Sequence, residues 1–302
     1  MKHLFIINPA AGSRNRVEKY QADIHAACHA RDLDYQIAVT QGPGDATRLA
    51  REAAQTGAEI RIYACGGDGT LNEVAAGAAG FSNAAITVFS GGSGNDFIKI
   101  FDDPQAFFDI HRLLDAEVAT FDMIRCNGDL ALNICCVGLD ARIGKDVARY
   151  KRLPLLSGFR AYAFATLTHL CRKLAAHFVV EINGERMDGD LTFVCVCNGR
   201  YYGGGFNPVP EADPADGLLD VLVVKAIKHH QVPGAIGKYK NGRYQELHHL
   251  AQHYRTDKLT VTCDGPSPIN LDGEIRTGTK VEFSIADEKI RFFYPKGLHW
   301  KK

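Results

Sequence analysis

Along the first ninety residues, short apolar runs alternate with amphipathic stretches. Leu4 to Ile7 is apolar throughout and suits a buried strand, whereas Arg16 to Ala30 places Val17, Tyr20, Ile24 and Ala27 at helical spacing. Tyr35 to Val39 alternates as a strand, and a helix headed by Asp45 runs to about Gln55. The run Ala58 to Ala64, with Ile60, Ile62 and Tyr63, predicts the next strand, the alanine-rich Leu71 to Ala79 the next helix, and Ala85 to Phe89 a further strand. Repeated strand–helix units predict a doubly wound α/β domain with a parallel sheet and helices on both faces. In such sheets ligands sit beyond the carboxyl ends of the strands.

From about Arg125 the texture changes. Leu130 to Val137, Val179 to Ile182, Leu191 to Cys197, Leu218 to Val224, Leu259 to Cys263, Lys280 to Ile285 and Ile290 to Tyr294 are strand-like, and Asn183-Gly184 reads as a hairpin turn. Helical stretches are expected at Phe159 to Leu174 and Tyr244 to Tyr254. This predicts a second domain dominated by antiparallel strands. No low-complexity linker or internal repeat intervenes, so the expectation is two closely packed domains that share a cleft.

Composition narrows the class. The chain has 302 residues, zero formal net charge and 46% hydrophobic residues, the balance of a soluble globular protein without a global signature of nucleic-acid binding. The apolar run ending at Ile7 is too short for a signal-peptide core and no stretch approaches a membrane span, so the expected location is cytoplasmic. Nine cysteines, among them Cys135-Cys136 and Cys195-Val196-Cys197 in strand-like runs without a CxxC pair, read as reduced core residues.

The chemistry gathers at three corners on one predicted sheet edge. After the first strand stands Asn8-Pro9-Ala10-Ala11-Gly12-Ser13; after the third, Gly66-Gly67-Asp68-Gly69-Thr70; after the fourth, Gly91-Gly92-Ser93-Gly94-Asn95-Asp96. Two readings apply to the middle one. In the first, the glycines only make a tight turn, Thr70 is the N-cap and Glu73 completes a capping box. In the second, missing side chains let backbone amides and the helix N-terminus approach a phosphate. Three such turns on one edge favour the phosphate-binding reading, although none is a GxxxxGK[ST] loop or a GxGxxG fingerprint opening a helix.

These motifs, followed by Asp216-Gly217-Leu218-Leu219-Asp220 and Asp272-Gly273-Glu274, stand in the order of the diacylglycerol kinase and sphingosine kinase catalytic family, which the chain resembles over nearly its whole length. Its likeness is strongest to the soluble bacterial lipid kinases. The resemblance implies an ATP- and Mg²⁺-dependent kinase that phosphorylates a lipid hydroxyl, such as that of diacylglycerol. It implies a nucleotide-binding α/β domain at 1–124 plus 291–302 and a lipid-binding antiparallel β-sandwich at 125–290. Asn8, Pro9, Ala10, Ala11 and Gly12, with Gly66, Gly67, Asp68, Gly69, Thr70, Leu71, Asn72 and Glu73, would contact the nucleotide, with Thr40, Ser93 and Asn95 nearby. Asp68 would be the metal-linked or phosphate-ordering carboxylate, where a turn aspartate is the plain alternative. Glu274 would accept the hydroxyl proton and Asp272 would orient it or share metal-bound water, where a hairpin turn is the alternative. Asp216 through its carboxylate, and Asp213 and Leu218 through backbone carbonyls, would hold a structural Mg²⁺, again with a plain turn as the alternative.

Departures from the family pattern are Ser90 and Ser93, where proline and threonine are frequent, and Arg14 or Arg16 in place of a lysine; a serine hydroxyl keeps the hydrogen bond and arginine still grips phosphate. The shared GGDGT core keeps NAD kinase open as a second enzyme reading, and a nucleotide- or lipid-binding regulator without catalysis as a third. His248, His249 and His253 suit a solvated helix face better than a zinc site. Arg149, Lys151 and Arg152 beside Leu153, Leu155 and Leu156, with Trp300, Lys301 and Lys302, are candidates for transient contact with an anionic membrane. Edge strands of the second domain offer a route to a homodimer.

Overall fold

The computed structural model describes residues 1–11, 15–91, 95–147, the backbone of 148–150, 168–169 and 172–300. These form two compact units, Met1–Met123 with Ala286–Lys302, and Ile124–Ile285.

The first unit begins with β1 (Lys2–Ile7), α1 (Arg16–His29), β2 (Tyr35–Val39), α2 (Asp45–Gln55), β3 (Ile60–Gly66), α3 (Asp68–Ala78) and β4 (Ala84–Ser90). Two 3-10 turns, the short helix α4 (Ile110–Leu114) and β5 (Ala116–Phe121) follow. The sheet order is β2-β1-β3-β4-β15-β5, where β15 (Ile290–Pro295) is supplied by the end of the chain. Strands β1 to β4 and β15 run parallel and β5 antiparallel. Strands β3 and β4 are buried almost throughout, as a central strand covered on both faces requires. Small residues bring helices close: Ala46, Ala50 and Ala54 form the buried stripe of α2, and a Cβ on Gly77 would lie 2.4 Å from the Thr47 carbonyl oxygen. Around β15, Phe97, Phe101, Phe121 and Phe292 pack with ring centroids 5.4–6.2 Å apart. Trp300 belongs to this cluster, edge-on to Phe121 at 5.3 Å.

The second unit comprises β6 (Ile124–Cys126), β7 (Asp129–Ala131), β8 (Ile134–Gly138), α5 (Leu139–Tyr150), β9 (Ala176–Ile182), β10 (Glu185–Cys197), β11 (Leu219–Lys225), α6 (Val232–Lys240), β12 (Ala251–Thr256), β13 (Lys258–Leu271) and β14 (Glu274–Ile285). All its pairings are antiparallel. The long strands β10 and β13 each carry an irregularity in register, near Leu191/Phe193 and Thr262/Ser267. Each thereby pairs with β9 at one end and β8 at the other, which folds the sheet over a core containing Val137, Phe178, Val180, Val194, Val261 and Phe283. The result is the expected antiparallel β-sandwich. Asn183 and Gly184 both take positive φ, 51° and 80°, and close the β9–β10 hairpin as their sequence predicts.

Two expectations change. Leu130 to Val137 is two short strands rather than one, because the backbone turns away at 132–133 to meet Asp272. Tyr244 to Tyr254 is not a helix: a single 3-10 turn (Tyr244–Leu247) gives way to β12, since edge pairing with β11 satisfies that backbone. His253 therefore sits on a strand. The helix expected over Phe159 to Leu174 falls mostly outside the described residues, as do Gly12, Ser93, Lys151 to Leu156, Lys301, Lys302 and the side chain of Arg149. All eight described cysteines that are resolved as free thiols are buried. Among the described residues no helix is long and apolar enough to cross a membrane.

Candidate active site

Because β1, β3 and β4 are parallel neighbours, their carboxyl ends bring the three corners to one edge of the first unit's sheet. Side chains then tie the corners to one another. Asn8 donates to the Thr70 hydroxyl at 3.0 Å while its own carbonyl oxygen accepts the Ala10 amide at 2.9 Å, so the first corner is fixed to the second and turned by its own side chain. The Asn95 amide donates to the Gly66 carbonyl at 3.1 Å and to Ser90 at 2.8 Å. Asp68 Oδ1 accepts the Asp96 amide at 2.6 Å and the Phe97 amide at 3.4 Å, which anchors the third corner to the second. Thr40 is buried at the end of β2, its amide on the Ile7 carbonyl at 2.9 Å.

The middle corner departs from the capping-box expectation. Helix α3 starts at Asp68, Gly67 is the N-cap residue, and no side chain caps the first turn. Thr70 lies inside that turn, and Glu73, instead of reaching back, accepts the Ala46 amide of α2 at 3.2 Å. The absence of a side-chain cap leaves the positive end of α3 presented at the carboxyl edge of the sheet, beside the first corner. Gly66 is required by packing: a Cβ there would lie 2.4 Å from Thr70 Oγ1. Gly69 is not, since a Cβ would meet nothing within 4 Å. Leu71 and Asn72 are buried in the helix that follows. Pro9 and Ala10 are exposed, and the Ala11 carbonyl takes a hydrogen bond from Arg16 at 3.4 Å.

In the second unit, Asp272 and Gly273 form a two-residue hairpin turn between Leu271 and Glu274, with φ of 48° and 95°. The turn reading of Asp-Gly is thus present, and the carboxylate does more. Asp272 accepts three successive amides, Leu132 at 2.7 Å, Asn133 at 2.9 Å and Ile134 at 2.7 Å. Burial pushes its carboxyl up to about 6 while the three amides pull the other way. Glu274 follows the turn, its side chain 42% exposed and paired with Arg276 at 3.0 Å; Arg276 also holds Asp129 at 2.8 Å. Glu274 is thus accessible on a rigid turn, as a proton acceptor must be.

The expected magnesium ligands cluster in a turn before β11. The Asp213 carbonyl accepts the Asp216 amide at 3.4 Å, Asp216 Oδ1 accepts the Leu218 amide at 3.0 Å, and Asp216 Oδ2 pairs with Arg255. Burial raises the Asp216 carboxyl. One carboxylate and two backbone carbonyls are the hard oxygen donors that fit Mg²⁺, but Arg255 already supplies the positive charge there. Among the described residues no group of three or more His, Cys, Asp or Glu is placed to hold a metal ion.

Some groups carry no local signal in the sequence. Asp122, 1% exposed, pairs with Lys289 at 2.7 Å across 167 positions of chain. Asp220, equally buried, receives His253 at 2.7 Å, and Tyr244 meets the other ring nitrogen at 3.2 Å. His253 is thereby a partner of Asp220, not part of a helical histidine face. The second unit also holds an apolar cavity of about 110 Å³ beside α5 and α6.

Residues 2–126 match the diacylglycerol kinase catalytic domain, and residues 133–294 match the YegS C-terminal NAD kinase beta sandwich-like domain. A Pseudomonas aeruginosa protein named "Probable lipid kinase YegS-like" is 30% identical over 262 residues, 86% of this chain and 85% of that one. The chain belongs to the YegS-like, diacylglycerol kinase-related lipid kinase family. A Pseudomonas fluorescens relative with the same name is 28% identical over 91% of both chains. A crystal structure described as a diacylglycerol kinase from Bacillus anthracis shares the fold, with a TM-score of 0.71, 21% identity and coverage of 98% of this chain and 97% of that one. Another Bacillus anthracis structure gives a TM-score of 0.75 at 23% identity. Family membership thus agrees with the fold expected of the sequence.

Proposed function

We propose that this lipid kinase transfers the γ-phosphoryl group of ATP to a hydroxyl of a lipid such as diacylglycerol, with Mg²⁺. The observation that carries the reading is the uncapped N-terminus of α3 held between two further loops by Asn8, Asn95 and Asp68, in a chain of this family. Phosphoryl transfer needs the triphosphate held and its charge balanced more than it needs covalent chemistry. The backbone amides at the Gly66–Thr70 corner bind phosphate oxygens, and the Asn8–Ala11 loop, whose amides are taken by the Cys65 carbonyl and by Asn8, walls the corner on one side. Asp68 orders the third corner through the Asp96 and Phe97 amides, and its carboxylate would help to hold the water of a bound Mg²⁺. Magnesium, when bound, screens the phosphate charge; Asp216 and the carbonyls of Asp213 and Leu218 would hold a second, structural ion by displacing Arg255. Glu274 takes the proton of the acceptor hydroxyl, and Asp272 fixes the turn from which it projects.

The test is an acceptor comparison. Purified chain with Mg·ATP is offered dioctanoylglycerol, sphingosine and NAD in parallel. Phosphorylated lipid and untouched NAD support the proposal; phosphorylated NAD alone decides for the NAD kinase reading, which the shared GGDGT core keeps in view. Bound ATP without turnover on any acceptor decides for a regulator.

A further inference from the structure

The β8–β13 ladder pairs Ile269 with Val137, Asn270 with Cys136 and Leu271 with Cys135. At the next step β13 turns away, and Asp272 continues the ladder from both ends of the residue. Its amide donates to the Ile134 carbonyl at 3.2 Å, and its carboxylate accepts the amides of Leu132, Asn133 and Ile134. Three successive amides converge on one anion only where the backbone leaves the extended form, so the kink at 132–133 has to be held.

The holders come from the segment that follows β10. Asn198 is 1% exposed, and its side-chain amide donates to the Leu132 carbonyl at 2.6 Å. The backbone amides of Asn198 and Gly199 both donate to the Asn133 carbonyl, at 2.9 and 3.0 Å. Asn133, itself buried, donates its side-chain amide to the Tyr201 carbonyl at 2.6 Å. Buried Arg200 secures the same segment through Nε on the Ala212 carbonyl at 2.6 Å. The carbonyls of the kink are thus taken by residues 198–199, and its amides by Asp272.

The arrangement runs against stability at two points. Burial works against the charge on Asp272, and the Asn133 side-chain oxygen is buried with no hydrogen-bond partner among the described residues. Unfavourable choices of this kind gather where function sets the residue. What the kink holds is the turn from which Glu274 projects.

We infer that Asn133 and Asn198 are positioning residues for Glu274: by holding the kink at 132–133 they let its amides grip Asp272, and so fix where the Glu274 carboxylate meets the acceptor hydroxyl. The inference rests on the reading of Glu274 as the proton acceptor. A misplacement of about 1 Å at a reacting group costs about 10²-fold in rate, so the frame need not touch the substrate to matter.

A double-mutant cycle tests it. Phosphoryl transfer from Mg·ATP to dioctanoylglycerol is measured for the wild type, Asn198→Ala, Glu274→Gln and the double variant. Asn198→Ala is expected to lower kcat at least about tenfold with the KM for ATP within about twofold, and to lower it by less than about twofold in the Glu274→Gln background. Hydrogen exchange at the Asn133 and Ile134 amides is expected to quicken at least about tenfold in Asn198→Ala. An unchanged kcat, an equal loss in both backgrounds, a loss that falls on the KM for ATP instead, or unchanged exchange overturns the inference and leaves the two asparagines as ordinary parts of the sandwich. Asn133→Ala, which removes the bond to Tyr201, takes the place of Asn198→Ala under the same criteria if the latter does not fold by circular dichroism. An equal loss in both backgrounds of an active enzyme overturns this inference alone. No transfer to lipid by the wild type, or transfer that Glu274→Gln leaves intact, overturns the reading of Glu274 and this inference with it.

Discussion

In the first unit the candidate site is made mostly of backbone. Glycines and a helix N-terminus without a side-chain cap stand at the carboxyl edge of the sheet, and side chains such as Asn8, Asn95 and Asp68 serve to hold loops. In the second unit the relation is inverted. Side-chain carboxylates stand out there, Asp272 accepting three amides to build the turn and Glu274 projecting from it, while the backbone supplies the frame. An anion wants amide donors and a positive helix end, whereas an alcohol wants an acceptor for its proton, so the inversion is what the proposed function would require. It also means that the two units should respond to opposite kinds of substitution.

The largest contrast is expected at Glu274. Glu274→Gln keeps the shape and removes the base, so kcat should fall by roughly 10²–10⁴ with ATP affinity and melting temperature unchanged, measured by steady-state kinetics and calorimetry. A fall in ATP affinity instead would mean that the division between units is wrongly drawn. Next is Asp272→Ala, which strands three amides and should cost about 3 kcal/mol in chemical denaturation. Gly66→Ala inverts the experiment by adding an atom: its Cβ must push Thr70 away from Asn8, costing about 2 kcal/mol and weakening ATP binding severalfold while lipid binding is kept. Gly69→Ala, with open space around it, should fold as the wild type does; if it also binds ATP as the wild type does, the backbone of that residue is not approached by phosphate.

The smallest effect is a pH dependence. Asp140 is raised from the ordinary carboxyl value near 3.9 to about 6, so the unfolded chain releases this proton first. The contribution to stability is therefore full below about pH 4 and lost as pH rises through about 6. Asp140→Asn removes this slope: the melting temperature of the variant minus that of the wild type should increase from pH 4 to 6 and level off above. Cys136, Cys195, Tyr202, Tyr239 and Asn270 surround the carboxylate, and none of them is altered by the substitution. A flat difference would place the carboxylate in a better-solvated setting than the cavity wall.

How much could be read from the chain follows the same division. The three corners were legible because glycine spacing is local and the parallel sheet brings strand ends to one edge by rule. The second unit's sandwich was legible as strands, and Asn183-Gly184 as a turn, for equally local reasons. Glu73 was misread because its partner Ala46 lies on another helix, and local capping rules have no term for that packing. His253 was misread because its helical spacing with His249 is shared by an edge strand, whose pairing with β11 outweighs propensity. Asp122 with Lys289 and Asp140 with Tyr202 lie 167 and 62 positions apart, and pairs at such separations leave no trace in a single sequence.

The central claim is that one unit holds ATP while Glu274 in the other takes the proton of a lipid alcohol. Its most direct test is transfer of labelled γ-phosphate from Mg·ATP to a total bacterial lipid extract by the wild type and by Glu274→Gln. The account predicts a labelled lipid from the wild type and its loss in the variant, with ATP binding equal in both. An equally labelled lipid from the variant, or no labelled lipid from a wild type that binds ATP, would contradict it.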